Sequence, residues 1–152
     1  MELAVPAKAI LVVEDNENDA ALMKLMFRRA RVLNPVLSVP SVHDTLCYLK
    51  GEGMYADRSR FPFPTLLFVD LHLGDGSGFD VLRWIRENRA RSPVGVVVLS
   101  GSDVTAFKKA YELGAHSFLV KPLSFEDFQS TVTLLRGLKL TPHIDGYLLE
   151  LE

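Results

Sequence analysis

The chain has 152 residues, 48% of them hydrophobic and 24% charged. That length suits one domain with a substantial core, and the composition is that of a folded chain rather than a disordered one. The formal net charge is −2 with no long basic run, which gives no electrostatic case for nucleic acid or an anionic membrane as partner.

In chain order, MELAVPAKAI lacks the basic start and long apolar stretch of a secretory signal, and the use of a single cysteine makes a cytoplasmic protein the expectation. The first apolar run is Ala9 to Val13, and it meets Glu14-Asp15-Asn16. Leu22, Leu25 and Met26 then share one face of a first helix. A second run spans Pro35 to Val39, and Val42, Leu46 and Leu49 mark a second helix. Cys47 reads as a small buried apolar residue on that helix; as the only cysteine, it excludes internal disulfides and a multi-cysteine metal site. Gly51 to Pro64 (GEGMYADRSRFPFP) is a long connection whose Tyr55, Phe61 and Phe63 read as packing groups over the core edge or as a partner-binding surface.

The third run, Leu66 to Val69, ends on Asp70, and glycines at 74, 76 and 78 permit a tight turn before a third helix marked by Val81, Leu82 and Ile85. The fourth run, Val94 to Leu99, contains Gly95, a sign of close packing or a bulge, and leads into Ser100-Gly101. Ser102 is placed to cap a fourth helix with Val104, Phe107 and Tyr111 on one face, and Gly114 to follow it as C′ glycine. The fifth run, His116 to Val120, meets Lys121-Pro122. Ser124 is placed to cap a fifth helix through Phe125, Phe128, Val132 and Leu135, with Leu123 and Phe128 as a hydrophobic staple. Residues 139–152 are left as a tail.

Apolar runs without polar alternation, separated by helix-period segments, are the pattern of parallel strands buried on both faces. Five such units predict an α/β fold of three layers, a five-stranded parallel sheet with helices on both sides. Ligands of such sheets bind outside the carboxyl ends of the strands. Glu14, Asp15, Asp70, Ser100 and Lys121 all stand there. Each alone has a plain reading, Asp70 as a turn former or helix cap, Lys121 as a solvated charge, Ser100 as a helix-start hydroxyl. Together they make a cleft with three carboxylates, whose mutual repulsion a hard cation such as Mg²⁺ relieves. A carboxylate beside that cation, with a lysine and a hydroxyl to hold phosphoryl oxygens, suits formation of an acyl phosphate.

ILVVEDN at 10–16, FVDLHLGDGSG at 68–78, VVLSG at 97–101 and FLVKP at 118–122 together resemble the receiver domain of two-component response regulators, over about residues 8–138. The resemblance implies a flavodoxin-like sheet of order 2-1-3-4-5. It implies Asp70 as phosphoacceptor, and Mg²⁺ bound by Asp15, Asp70 and the main-chain carbonyl of His72, with Glu14 acting through water. It further implies Ser100 and Lys121 as phosphoryl ligands, Ser100 and Phe118 as the switch pair, and a cis Lys121–Pro122 peptide. The usual proline of the phosphoacceptor loop is Gly74 here, which leaves that loop less restrained. Residue 72 is usually not histidine, so His72 stands where it would tune phosphoryl lifetime, or as a surface histidine without kinetic effect.

The start of the chain and the long 51–64 segment resemble the single-domain regulators that partner bacterial phytochrome histidine kinases. A histidine kinase or phosphotransfer protein is the implied donor. Output is expected through a protein contact, onward phosphotransfer or a homodimer built on the face of helix 4, strand 5 and helix 5, with no domain for nucleic acid. Two alternatives stand beside this reading, a receiver-like module that binds without phosphorylation and an aspartyl-phosphate phosphatase of the haloacid dehalogenase type. The latter needs a second Asp where this chain has His72.

Overall fold

The computed structural model describes residues 8–101 and 104–152. The strands are β1 (Ala9–Val13), β2 (Val36–Val39), β3 (Pro64–Asp70), β4 (His72–Leu73), β5 (Gly76–Ser77), β6 (Gly95–Ser100), β7 (Ser117–Val120), β8 (Leu138–His143) and β9 (Gly146–Leu151). The helices are α1 (Glu17–Arg29), α2 (Val42–Lys50), α3 (Gly78–Glu87), α4 (Phe107–Glu112) and α5 (Phe125–Leu134). Five strands form one parallel sheet in the order β2-β1-β3-β6-β7, which is the expected 2-1-3-4-5 with the short β4 and β5 set aside.

Successive residues of a strand point to opposite faces, and the two cores follow from that. Leu11, Val13, Leu67, Val69, Val96 and Val98 pack toward α2, α3 and α4. Ile10, Val12, Leu66, Phe68, Val97 and Leu99 pack toward α1 and α5. Gly95 is a close-packing site: a Cβ there would stand 2.7 Å from Leu66 Cδ1 and 2.8 Å from Leu135 Cδ1.

Helix ends follow the expected chemistry. Ser124 Oγ accepts from Asp127 N at 3.1 Å and the Asp127 carboxylate accepts from Ser124 N, a capping box. Gly114 follows α4 at φ 101°, the left-handed region that favours glycine. The expected cap Ser102 lies outside the described residues.

Two helix faces differ from expectation. On α1 the buried residues are Ala20, Met23 and Phe27, while Leu22 is 58% exposed. In α4 Ala110 is the buried residue, and Phe107 and Tyr111 are exposed and meet edge to face with ring centroids 6.2 Å apart. Apolar spacing finds a helix, but a second apolar row can face outward. Cys47 is half-buried rather than buried, with Sγ 3.7 Å from His43 Nε2.

In the 51–64 connection, Tyr55 is buried and Phe61 and Phe63 pack on the core edge. Arg58 donates to the carbonyls of Tyr48, Leu49 and Phe61, satisfying the carboxyl end of α2.

The segment read as a tail is an antiparallel hairpin, β8 against β9, registered from Leu138↔Leu151 to His143↔Gly146. Leu138 and Leu149 complete the core beside α1 and α5. Tyr147 reaches the loop after α1, where its N–H donates to Arg31 O and its carbonyl accepts from Leu33 N.

Candidate functional site

The sheet delivers its functional groups at one edge because parallel strands all end there. Glu14 follows β1 and Asp70 closes β3; both are buried, at 4% and 6% exposure. Asp15 lies beside them and is exposed. One carboxylate oxygen from each of Glu14, Asp15 and Asp70 lies within 4.8 Å of the others.

Lys121 follows β7 and reaches back across the edge. Its Nζ donates to Asp70 Oδ2 at 2.8 Å, to Asp19 Oδ2 at 3.3 Å and to Glu14 Oε1. The remaining oxygens of the buried pair are held by backbone: Asn16 N donates to Glu14 Oε2 at 3.1 Å, and His72 N to Asp70 Oδ1 at 3.1 Å. Burial pushes the Glu14 carboxyl up to about 7, against the pull of Lys121 and with a further push from Asp70. For Lys121 burial works against the charge, but its bonds to Asp70 and Glu14 outweigh that and raise its pKa above the usual lysine value.

Ser100 is fully buried at the end of β6. Its carbonyl accepts from Lys121 N at 2.8 Å, and the neighbouring Leu99 carbonyl accepts from Leu71 N at 2.9 Å, so Ser100 is held between the strands that carry Asp70 and Lys121. Phe118 on β7 is partly buried against the core on the α2, α3 and α4 side. The Lys121–Pro122 peptide is cis. The His72 side chain is exposed.

The loop after Asp70 folds back at once. β4 and β5 pair as His72↔Ser77 and Leu73↔Gly76, and Gly78 N donates to Leu71 O at 2.9 Å. A Cβ on Gly78 would stand 2.7 Å from the Asp70 carbonyl oxygen, so the close return of the chain requires glycine there. Two carboxylates escaped the sequence reading, Asp19 on Lys121 and Asp75 in this loop. Asp19 lies in the first turn of α1, three residues after its N-cap Asn16, and an acid at a helix start facing the Glu14-Asp15 pair was the available signal.

The converging donors of Glu14, Asp15 and Asp70 are oxygen only, and Lys121 bonds to just two of these three carboxylates, a fit to a hard divalent cation with water and phosphoryl oxygens completing its shell. A model of the response regulator receiver domain matches residues 10–133. The chain belongs to the response regulator receiver family. Among curated relatives of this receiver is the response regulator Rcp1 of Synechocystis, 29% identical over 126 residues that cover 80% of this chain and 82% of Rcp1. The structure titled as the Mn²⁺-bound form of Rcp1 superposes at TM-score 0.68 with 26% identity, covering 82% of this chain and 88% of that one. The bacteriophytochrome response regulator RtBRR aligns at TM-score 0.73 and 33% identity, covering 85% of this receiver and 78% of RtBRR. The phosphorylated cyanobacterial phytochrome response regulator RcpA aligns at 0.69 and 31%, covering 82% and 89%. Phytochrome response regulators are thus among the solved structures this receiver resembles. Among its described residues no helix is long and apolar enough to cross a membrane.

Proposed function

We propose that this receiver is a phosphoacceptor for a histidine kinase or phosphotransfer protein, and that the acceptor is Asp70. The observation that carries the reading is the Asp70 carboxylate, buried at the end of β3 with one oxygen on Lys121 Nζ at 2.8 Å and two further carboxylates alongside. An Asp70 oxygen attacks the donor's phosphorus. The new P–O bond forms as the P–N bond to the donor imidazole breaks, and that nitrogen leaves with the electron pair. Lys121 turns from the carboxylates to the developing phosphoryl charge, and the Ser100 hydroxyl donates to a phosphoryl oxygen.

Asp15, Asp70 and the His72 carbonyl would hold Mg²⁺ directly and Glu14 through water; the cation would offset charge on the transferred group. Two relatives support these steps by what their structures contain, a divalent metal in Rcp1 and a phosphoryl group in RcpA. Ser100 and Phe118 move together once the phosphoryl group forms. The α4–β7–α5 face then carries the output, as a protein contact, onward transfer or homodimerisation. Phe107, Tyr111 and Val120 are among the exposed apolar groups of these elements. The donor's docking surface lies beside Lys121, where Leu22, Met23, Pro122 and Leu123 line an apolar hollow of about 340 Å³ that opens onto Glu14 and Asp19.

Acetyl phosphate tests the chemistry without a kinase. Intact mass should show one phosphoryl adduct with Mg²⁺, little with a chelator, and little in Asp15→Asn at the same Mg²⁺. Equal labelling with and without the metal would overturn the metal-dependent reading.

A further inference from the structure

We propose that Asp75 is a positioning residue that sets the phosphoacceptor loop for the metal by fastening it to the start of α2. The inference rests on the metal reading above, because the loop's stated task is to present the His72 carbonyl.

A helix start leaves backbone N–H groups without partners inside the helix. In α2, Ser41 Oγ accepts from Asp44 N at 3.0 Å. The two N–H groups before it are taken by a residue from 32 or 33 positions away in sequence: Asp75 Oδ1 accepts from Val42 N at 2.9 Å and Oδ2 from His43 N at 3.0 Å. Both oxygens of one carboxylate are thus committed to a neighbouring element. Those two bonds, led by the one from His43, hold the Asp75 carboxyl below the usual carboxylate range.

Asp75 occupies the two-residue turn Gly74-Asp75 between β4 and β5. The strand leading into that turn begins at His72, whose N–H already bonds to Asp70 Oδ1. A displacement of the turn is carried to His72 through a ladder only two residue pairs long. The turn has little restraint of its own, because Gly74 stands where a proline would fix φ. Contact with α2 is close as well, since a Cβ on Gly76 would lie 3.2 Å from Val42 Cγ2. Asp75 supplies from outside the loop the restraint that the backbone lacks.

The substitution Asp75→Ala removes both bonds, and Asp75→Asn leaves a single acceptor. The compensating variant is Gly74→Pro combined with Asp75→Ala. Gly74 has space for it, with only Asp15 Oδ2 near, at 3.9 Å from a Cβ, and residue 73 is already extended as the residue before a proline must be.

Mg²⁺ affinity is measured by calorimetry on the unphosphorylated chain. Metal-free thermal unfolding is recorded in parallel to confirm that each variant folds. Asp75→Ala should weaken Mg²⁺ binding about tenfold, the lower end of the effect of outer-shell partners, with Asp75→Asn intermediate. The double variant should recover most of the affinity. At saturating Mg²⁺, labelling by acetyl phosphate should return toward the wild-type level. Unchanged affinity in a folded Asp75→Ala protein, or no recovery in a folded double variant, would overturn the positioning role. A wild-type chain that binds no Mg²⁺ would overturn the metal reading and this inference with it.

Discussion

Lys121 stands among more negative charge than it can balance. It meets three carboxylates, two of them on side chains only 2% and 8% exposed. Removing it leaves Glu14 and Asp70 facing each other without a cation, and breaking such a pair is costly where water is excluded. Its own side chain is 20% exposed, so solvent screening reduces the effect. Lys121→Ala should lower stability by about 2 kcal/mol in metal-free buffer. Urea unfolding should show most of that loss restored by millimolar Mg²⁺, since binding to the folded state alone stabilises it. Glu14, Asp15, Asp70, Ser100 and Lys121 were legible in the sequence because each follows an apolar run, and parallel strands bring such ends together. Asp19 and Asp75 were not. An acid on an exposed helix turn or in a glycine-rich loop looks like any solvated charge until the fold sets a partner against it.

At the scale of elements, the sheet strands were readable because burial on both faces leaves each a nearly unbroken apolar run. Helix faces were less so, since Leu22, Phe107 and Tyr111 continue the apolar spacing on the exposed side. The terminal hairpin was missed although Asp145-Gly146 stands between two alternating segments, a hairpin signal in itself. Asn34 shows how that hairpin is joined to the domain. Buried at 4% exposure, its amide donates to Leu149 O at 2.9 Å and to Lys8 O at 2.8 Å, and accepts from Leu149 N at 2.7 Å. One side chain therefore satisfies both backbone groups of a fully buried residue. Asn34→Ala strands them, at a cost of about 2–3 kcal/mol. Chemical denaturation should show that loss, and faster amide exchange at Leu149 should accompany it. A change below about 0.5 kcal/mol would mean that water replaces the amide.

As a whole, the molecule places one sheet between two helix layers and leaves its chemistry at a single edge. The two layers differ in what they touch. The α1 and α5 side carries the hairpin and the hollow beside Lys121, while α2 meets the phosphoacceptor loop through Asp75. A phosphoryl group on Asp70 would therefore act on a centre already bonded to β1, β3, α1 and the segment after β7. Such an arrangement suits a two-state switch, because one new group displaces several existing bonds at once. The central claim is that this edge accepts phosphoryl on one residue. Its most direct test is to label the chain with acetyl phosphate and Mg²⁺, trap the acyl phosphate by reduction, and locate the modified residue by peptide mass spectrometry. The account predicts modification at Asp70 alone, with Asp70→Asn unlabelled. Modification at another carboxylate, or undiminished labelling of Asp70→Asn, would contradict it.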